Sequence, residues 1–317
     1  MLPLRVDDPD DLGQITAVLG ALVPAWQGAS ATLHVVGGGI TNVLRRLEAP
    51  GLDPVLVRIY GPGTERVIDR EGENRLFAQL AEAGRAPPYL GRFENGRVEG
   101  FLPGLITLEP GQLASLRHLI GPELARMHAL PCGGPSLLWT TLTNWMEQAR
   151  ALGTLDLERY AVALEGMKAD PPRGRGPGGS AATRIVLAHN DLLAGNVLWD
   201  GADTVRFIDF EYGAPAPAAF DVANHFCEYA GFDSDFQAGF PNRGVREDFA
   251  RHYLAVQGIA EHAGEFTDVV DAYVLTDHLW WGTWAVLQAR YSPIDFDFLQ
   301  YARLRLAGFD LHQAGLP

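Results

Sequence analysis

The chain has 317 residues, of which 47% are hydrophobic and 20% are charged, an ordinary balance for a globular protein. A single hydrophobic core stops growing at roughly 250 to 300 residues, so this length predicts two lobes with separate cores. The net charge of −14 argues against a nucleic-acid partner, because phosphate backbones select basic surfaces, but it is compatible with a cationic substrate.

The sequence also lacks the marks of a membrane or secreted protein. No run approaches the roughly 20 apolar residues that a membrane span requires. The amino-terminal residues turn acidic at Asp7 and include neither a basic nor an apolar signal region. Cys132 and Cys227 are too few for a disulfide framework and have no metal-ligand spacing. We therefore expect a cytoplasmic protein with no membrane span and two free thiols; the oligomeric state stays open, and a homodimer is allowed.

The first hundred residues predict a small antiparallel sheet with one helix. Strand-like runs cover residues 31–36 and 54–60. Apolar spacing predicts a helix over residues 69–83, with Gly84 at its carboxyl-terminal cap. Two further strand-like runs within residues 90–101 flank an Asn-Gly pair, which is a hairpin signal.

After Pro103 and Gly104 the pattern becomes helical. Helices are predicted over residues 114–129 and 142–152, and again beyond Phe220. The sequence therefore predicts an α+β, two-lobed protein with an antiparallel-sheet amino lobe and a mostly helical carboxyl lobe.

We place the lobe boundary near residues 99 to 104, which gives an amino-terminal lobe of residues 1–99 and a carboxyl-terminal lobe of residues 100–317. The segment at about 170–183 is rich in proline and glycine and cannot bury apolar side chains, so it is predicted to be a mobile surface loop.

Residues 189–196 carry the strongest chemical signal. Asp191 and Asn196 have the D-x-x-x-x-N spacing of a kinase catalytic loop, in which the aspartate accepts the substrate hydroxyl proton and the asparagine binds magnesium. A predicted hairpin then returns Asp209 to the same end as Asn196, and Glu211 points to the same side two residues later. Hard oxygen ligands of this kind suit Mg²⁺. The sequence therefore predicts a phosphoryl-transfer centre.

The simplest alternative is that these residues cap turns or lie on the surface, since five-residue spacings of polar residues arise freely. The context argues against it. His189 precedes the aspartate, apolar strands flank the polar loop, and an apolar run at 205–208 ends at Asp209. His189 itself is expected to be a scaffold residue, and Asp221 and Asn224 are expected to brace the loop.

Residues 189–196, 208–212 and 220–228 resemble the signature of the choline/ethanolamine kinase family. The similarity runs from residues 37–42 to the carboxyl-terminal aromatic block, and so covers most of the chain. It implies a protein-kinase-like fold and transfer of a phosphoryl group from ATP, with Mg²⁺, to the hydroxyl of an amino alcohol. By motif it implies that Asp191 is the base and that Asn196 and Asp209 are metal ligands.

In the amino lobe, the turn over the ATP phosphates is expected at Gly38, Gly39, Thr41 and Asn42, where glycines let the backbone approach closely. A plain hairpin turn is the alternative for this run.

The amino lobe has no lysine, and Lys168 is the only lysine of the chain. Arg58 is therefore expected to supply the phosphate-binding charge that protein kinases take from a lysine, as the resemblance also implies. Glu73 on the predicted helix is its candidate partner, although a solvated glutamate is the alternative. The backbone of residues 99–101 is expected to meet adenine.

Trp281 and Trp284 are three residues apart on a predicted helix and share a face. Such a stripe is usually core, but two tryptophans beside an acid also form a box for an ammonium group. The resemblance favours the box: it implies that Trp281, Trp284, Phe296 and Tyr301 line the amino-alcohol pocket and that Glu228 supplies negative charge.

Residues 58–61, 68–71 and 189–193 look closer to ethanolamine kinases, and activity on choline as well stays open. Residues 214–219 depart from the family, which usually carries aromatic and polar residues there. Two other functions remain: an aminoglycoside-type or other small-molecule phosphotransferase of the same fold, and a non-catalytic protein that binds a nucleotide or an amino alcohol.

Overall fold

The structure is a computed structural model that describes residues 1–37, 42–61, 68–174, 180–292 and 294–315. It forms two compact units, Met1–Leu105 and Ile106–Pro317. Gly38, Gly39 and Thr41, which the sequence assigns to the ATP phosphates, lie outside the described residues.

Unit 1 is built on a five-stranded antiparallel sheet in the order β1-β2-β3-β5-β4. Its strands are β1 (Thr32–Val36), β2 (Asn42–Glu48), β3 (Val55–Tyr60), β4 (Tyr89–Phe93) and β5 (Gly96–Gly100). The predicted hairpin is confirmed, because β4 and β5 pair with Phe93 opposite Gly96. Strand-like runs predict β1 and β3 but not β2, in which Arg45 and Arg46 break the apolar alternation.

Two helices accompany this sheet, α1 (Leu12–Leu22) and α2 (Arg70–Glu82). The α2 helix begins where the sequence predicts: the Asp69 carboxylate accepts a hydrogen bond from the Gly72 N–H at 3.0 Å. It ends before Gly84, whose φ of 68° is readily adopted only by glycine. Ile15 and Leu19 of α1 belong to the same buried apolar cluster as Val57, so α1 closes the core of this unit.

Unit 2 is mostly helical, as the sequence predicts. Its helices are α3 (Pro110–His128), α4 (Leu138–Leu152), α5 (Glu158–Ala169), α6 (Ala218–Cys227), α7 (Phe236–Gly239), α8 (Arg243–Gln257), α9 (Ala263–Tyr291) and α10 (Phe298–Gln313). The long α9 is buried over most of its length and packs against α4, α6, α8 and α10. It is therefore the central helix of the unit. No helix in the described part of the chain is long and apolar enough to cross a membrane.

Short strands in unit 2 carry the loops of chemical interest. The strands β6 (Ile106–Thr107), β8 (Val197–Trp199) and β9 (Val205–Phe207) form one sheet, and β7 (Ile185–Ala188) pairs with β10 (Ala214–Pro217). The strand β10 contains two prolines, which a short two-stranded ribbon tolerates because proline needs only an edge position.

The segment that the sequence assigns to a mobile loop is described up to Gly174 and again from Ser180. Residues Ala181–Thr183 form a 3₁₀ turn capped by the Ser180 side chain. The Ala181 N–H donates to a Glu261 carboxylate oxygen at 2.8 Å, which fixes this end of the segment to the chain before α9.

Candidate active site

The α6 helix holds the backbone of the candidate catalytic loop. Both carboxylate oxygens of Asp221 accept loop N–H groups, from His189 and from Asn190, each at 2.7 Å. One turn later, the Asn224 side-chain oxygen accepts the Leu192 N–H at 2.7 Å. Asn190 has a φ of 63°, a conformation that asparagine tolerates better than most residues. These bonds place Asp191 between two anchored neighbours, in the bracing arrangement that the sequence predicts for Asp221 and Asn224.

Asp221 is itself held from the opposite side. His128 of α3 donates from Nε2 to the Asp221 carboxylate at 2.8 Å, and its Nδ1 accepts from the Tyr253 hydroxyl at 2.8 Å. Burial would raise the pKa of Asp221, but the hydrogen bond from His128 and the backbone N–H donors hold that pKa below its usual value. The brace is therefore a charged acceptor with every contact made inside the protein.

The two motif residues Asp191 and Asn196 are in direct contact. The Asn196 amide nitrogen donates to the Asp191 backbone oxygen at 2.8 Å and to its carboxylate at 3.1 Å. These bonds orient the amide so that its oxygen points away from Asp191, and no group of the described residues donates to that oxygen. It is available as a ligand.

Asp209 follows β9 and is positioned by the loop it faces. The Ile208 N–H donates to the Asn196 backbone oxygen at 3.0 Å, and the His189 ring donates to the Ile208 carbonyl at 2.9 Å. Asp209 then adopts a φ of 64°, which turns the chain sharply after the strand. The backbone therefore brings the residues next to Asp209 against Asn196, and His189 is a buried scaffold residue, as expected.

Negative charge is concentrated at this point. The pKa of Asp191 is raised well above its usual value, first by burial and then by the charges of Glu228, Asp209 and Glu211. Carboxylates this close favour a cation between them. The residues therefore fit Mg²⁺. Asn196 and Asp209 offer hard oxygen donors, and Glu211 is close enough for its charge to raise the pKa of Asp191. No group of three or more His, Cys, Asp or Glu among the described residues is arranged to enclose a metal alone.

An aromatic wall adjoins the acids. The Tyr212 ring lies edge-on to Trp281 at 5.2 Å between centroids, and Trp281 lies edge-on to Trp284 at 5.1 Å. The Trp284 indole N–H donates to the Tyr212 hydroxyl at 2.8 Å. The negative charge of Asp191 contributes to raising the pKa of Tyr212, after burial and Glu211, which brings this wall and the catalytic loop together.

Phe296 and Tyr301 extend the wall, with ring centroids 5.9 Å apart, and Phe232 contacts both. The four predicted aromatic residues are thus joined into one surface, which also includes Tyr212 and Phe298. Trp281 and Trp284 are both buried. They are core residues and wall residues at the same time.

Glu228 begins the turn that follows α6 and is buried beside α10. Its carboxylate accepts from Arg305 at 3.1 Å. Burial raises the pKa of Glu228 to about 7, against the lowering effect of Arg305 and with a further increase from Asp277. Sequence reasoning identified Glu228 but missed Arg305, because 77 residues separate the two.

In unit 1, the predicted phosphate-binding arginine belongs to a buried ion-pair cluster. Arg58 donates to the Glu99 carboxylate at 2.8 Å, and Arg97 donates to the same carboxylate at 3.1 Å. Glu73 accepts from Arg97 and, at 2.8 Å, from Arg70. Burial raises the pKa of Glu73. The charges of Arg97, Arg70 and Arg58, in decreasing order of effect, lower it below its usual value.

Glu73 is therefore a buried partner of arginines and not a solvated glutamate. Sequence reasoning missed Arg97 and the ion pairs of the Glu99 side chain. These two residues are two positions apart on β5, so their side chains point to the same face of the sheet. Asn42, also predicted to bind the nucleotide, accepts a hydrogen bond from Arg70 at 3.1 Å.

Comparison with known proteins agrees with this geometry. The family model for choline/ethanolamine kinase matches residues 33–310. The chain belongs to the choline/ethanolamine kinase family. A probable ethanolamine kinase of Arabidopsis thaliana is 36% identical over 85% of this chain and 76% of its own length. A probable choline kinase of the same plant is 30% identical over 96% of this chain and 94% of its own length.

Among solved structures, an ethanolamine kinase of Plasmodium vivax matches with a TM-score of 0.79 and 27% identity, over 88% of this chain and 82% of its own. The predicted resemblance and the kinase-like fold class are confirmed. Membership of this kinase family also implies the use of ATP.

Replacing Asp221 with asparagine is expected to disturb the catalytic loop. Asp221→Asn keeps the shape but places an NH₂ group against a donor, so one of His128, His189 or Asn190 loses its acceptor. We expect the free energy of unfolding to fall by about 1–3 kcal/mol. A shift of Asp191 by about 1 Å would lower kcat by up to about 100-fold.

The control is Asp248→Asn, which removes a carboxylate of α8 that pairs with Arg117 near the surface. Chemical unfolding and steady-state kinetics measure both variants. Wild-type kcat in a folded Asp221→Asn enzyme would show that the brace does not position the loop.

Replacing Arg97 with methionine is expected to destabilise unit 1 strongly. Arg97 is fully buried between Glu73 and Glu99, so its loss leaves buried carboxylates with less compensation. We expect Arg97→Met to lower the free energy of unfolding by about 3–5 kcal/mol. Arg92→Met, on the adjacent strand, removes a partly exposed pair with Glu71 and should cost about 1 kcal/mol or less. Equal losses in urea titrations of the two variants would contradict the assignment.

Proposed function

We propose that the chain transfers the γ-phosphoryl group of ATP to the hydroxyl of ethanolamine or choline, with Mg²⁺ as the metal. One observation carries the proposal: in a member of this kinase family, a buried acidic cluster around Asp191 adjoins an aromatic wall. A small cation with a hydroxyl two carbons away matches both features.

Asp191 is proposed to orient the substrate hydroxyl and to accept its proton. The buried position and acidic neighbours that raise its pKa make this carboxylate a better base than an exposed one. The bonds from its neighbours Asn190 and Leu192 to Asp221 and Asn224 supply the fixed geometry that an in-line attack requires.

Asn196 and Asp209 are the proposed magnesium ligands, with Glu211 in a supporting position. When bound, Mg²⁺ neutralises charge on the phosphate oxygens in the transition state. Asn196 contributes its free amide oxygen, and Asp191 keeps that amide in place.

In unit 1, Arg58 is proposed to bind ATP phosphates, together with Asn42 and the turn that holds Gly38, Gly39 and Thr41. Glu99 pairs with the Arg58 guanidinium at 2.8 Å, and Glu73 lies close enough for the Arg58 charge to help lower its pKa, so the two carboxylates would hold this guanidinium in place.

The substrate ammonium is proposed to lie against Trp281, Trp284, Phe296 and Tyr301, near Glu228. Aromatic faces suit the methyl groups of choline, whereas a primary ammonium needs hydrogen-bond acceptors. The wall and the Glu228 carboxylate provide both, so both alcohols are candidate substrates. We expect ethanolamine to be used at least as well as choline.

A direct test is ADP release by the purified protein with ATP, Mg²⁺ and each alcohol in turn. We expect turnover with at least one alcohol, and loss of at least about 100-fold in kcat with Asp191→Asn. An aminoglycoside panel serves as the comparison. Turnover of a bulky aminoglycoside, with neither amino alcohol accepted, would favour a different phosphotransferase, and ATP binding without turnover would favour a non-catalytic binder.

The aromatic wall gives a second prediction. Trp281→Ala removes a ring from the wall and should raise KM for choline or ethanolamine by roughly 3- to 30-fold, the range of a cation–π contact, and leave KM for ATP unchanged. Its control is Trp280→Ala, one residue away on α9, where the ring packs on Trp145 and Phe220 instead. Trp280→Ala should lower stability without a selective rise in the alcohol KM. Equal KM changes in the two variants would remove the wall from substrate binding.

A further inference from the structure

One buried carboxylate of unit 2, Asp277 on α9, has no part in the proposed mechanism. One of its oxygens accepts from the Asn224 amide at 3.1 Å, and the other pairs with the Arg305 guanidinium. The second guanidinium nitrogen of Arg305 donates to Glu228 at 3.1 Å. Asp277 is fully buried, and Arg305 is 1% exposed. Asp277 therefore touches both the brace of the catalytic loop and the partner of Glu228.

The charges of this cluster do not cancel. Glu228 and Asp277 are two carboxylates that share one guanidinium, so the three side chains carry a net charge of −1 when all are ionised. Without Asp277, Arg305 would neutralise Glu228 completely. A buried charge is costly unless it is paired, so a surplus next to the aromatic wall points to a cation from outside.

We propose that Asp277 sets the charge of the ammonium subsite: it engages Arg305, and this leaves the Glu228 carboxylate to attract the substrate cation. The inference rests on the proposed function, because the cation is the ammonium of the substrate. Asp277 acts through Arg305 and does not touch the substrate, so it is a positioning and specificity-determining residue.

The groups facing Glu228 come from four elements. Arg305 and Tyr301 lie on α10, Asp277 lies on α9, Cys227 ends α6, and Asp191 lies in the catalytic loop. Burial is the largest cause of the raised pKa of Glu228, which is about 7. Arg305 lowers this pKa, and Asp277 raises it. Burial also raises the pKa of Asp277, against Arg305.

The pH dependence follows from these signs. Below about pH 7 Glu228 takes up a proton, the cluster becomes neutral, and cation binding weakens. In Asp277→Asn the negative charge of Asp277 no longer helps to raise the pKa of Glu228, so Glu228 loses its proton at a lower pH. At alkaline pH the variant cluster is neutral where the wild-type cluster carries −1. At acidic pH both clusters are neutral, so the difference between the two enzymes must shrink.

The experiment measures kcat/KM for choline, or its inhibition constant against ethanolamine, between about pH 6 and about pH 8.5. Choline is the probe because its quaternary ammonium has no proton to lose. We expect Asp277→Asn to weaken choline about tenfold at the alkaline end and about twofold or less at the acidic end. The acid limb should move to lower pH, and KM for ATP should stay the same.

Two controls separate charge from structure. Asp271→Asn removes a carboxylate from the same helix, where it pairs with Arg243 and Arg246, and should not alter the pH profile. The neutral carbon analogue of choline, in which a tert-butyl group replaces trimethylammonium, should bind the wild type and Asp277→Asn equally.

Arg305→Gln tests the same idea with the opposite sign and serves where Asp277→Asn does not fold. Removing the guanidinium leaves two carboxylates, which raises the pKa of Glu228, so the acid limb should move to higher pH. A loss that is equal at all pH values, or equal for choline and its neutral analogue, overturns the inference. Absence of turnover with either alcohol in the wild type contradicts the proposed function instead, and the two failures are therefore distinguishable.

Discussion

The hydrogen bonds from the His189 and Asn190 backbone to the Asp221 carboxylate determine where Asp191 lies. Loop backbone between a short strand and a 3₁₀ turn has few partners of its own, and a buried N–H without an acceptor is costly. The α6 helix supplies the acceptors, and α3 supplies the His128 donor that keeps Asp221 charged. The catalytic loop is therefore shaped by helices far from it in sequence.

The same loop lies among several acids, which sets a second constraint. Asp191, Asp209, Glu211 and Glu228 are close enough for each of the other three to raise the pKa of Asp191. Such a cluster is unfavourable when it is empty and favourable when cations enter it. A magnesium ion and a substrate ammonium are two cations of different size and hardness. Oxygen donors at Asn196 and Asp209 suit the first, and the aromatic wall suits the second.

Local signals explain what the sequence predicted. The D-x-x-x-x-N spacing, the hairpin dipeptide and the glycine cap of α2 each act within a few residues. The structure forms the hairpin and ends the helix where they are predicted, and it brings Asp191 and Asn196 into contact. Long-range pairs gave no such signal. Arg58 pairs with Glu99 across 41 residues, and no periodicity indicates that partner. Tyr212 was present in a recognised motif, but its contact with Trp284 depends on how the segment between β9 and β10 packs on α9, which sequence spacing does not determine.

The two buried ion-pair clusters differ in a way that indicates their roles. In unit 1, Arg58 and Arg97 pair with Glu99, and Arg97 and Arg70 pair with Glu73, so each of these two carboxylates is held by two guanidinium groups. In unit 2, the Arg305 guanidinium serves both Glu228 and Asp277, so the excess is negative when all three are ionised. An uncompensated buried charge is tolerated only where something offsets it, so the excess in unit 2 carries information that the ion pairs themselves do not. Its sign matches the proposed occupant, which is a substrate ammonium.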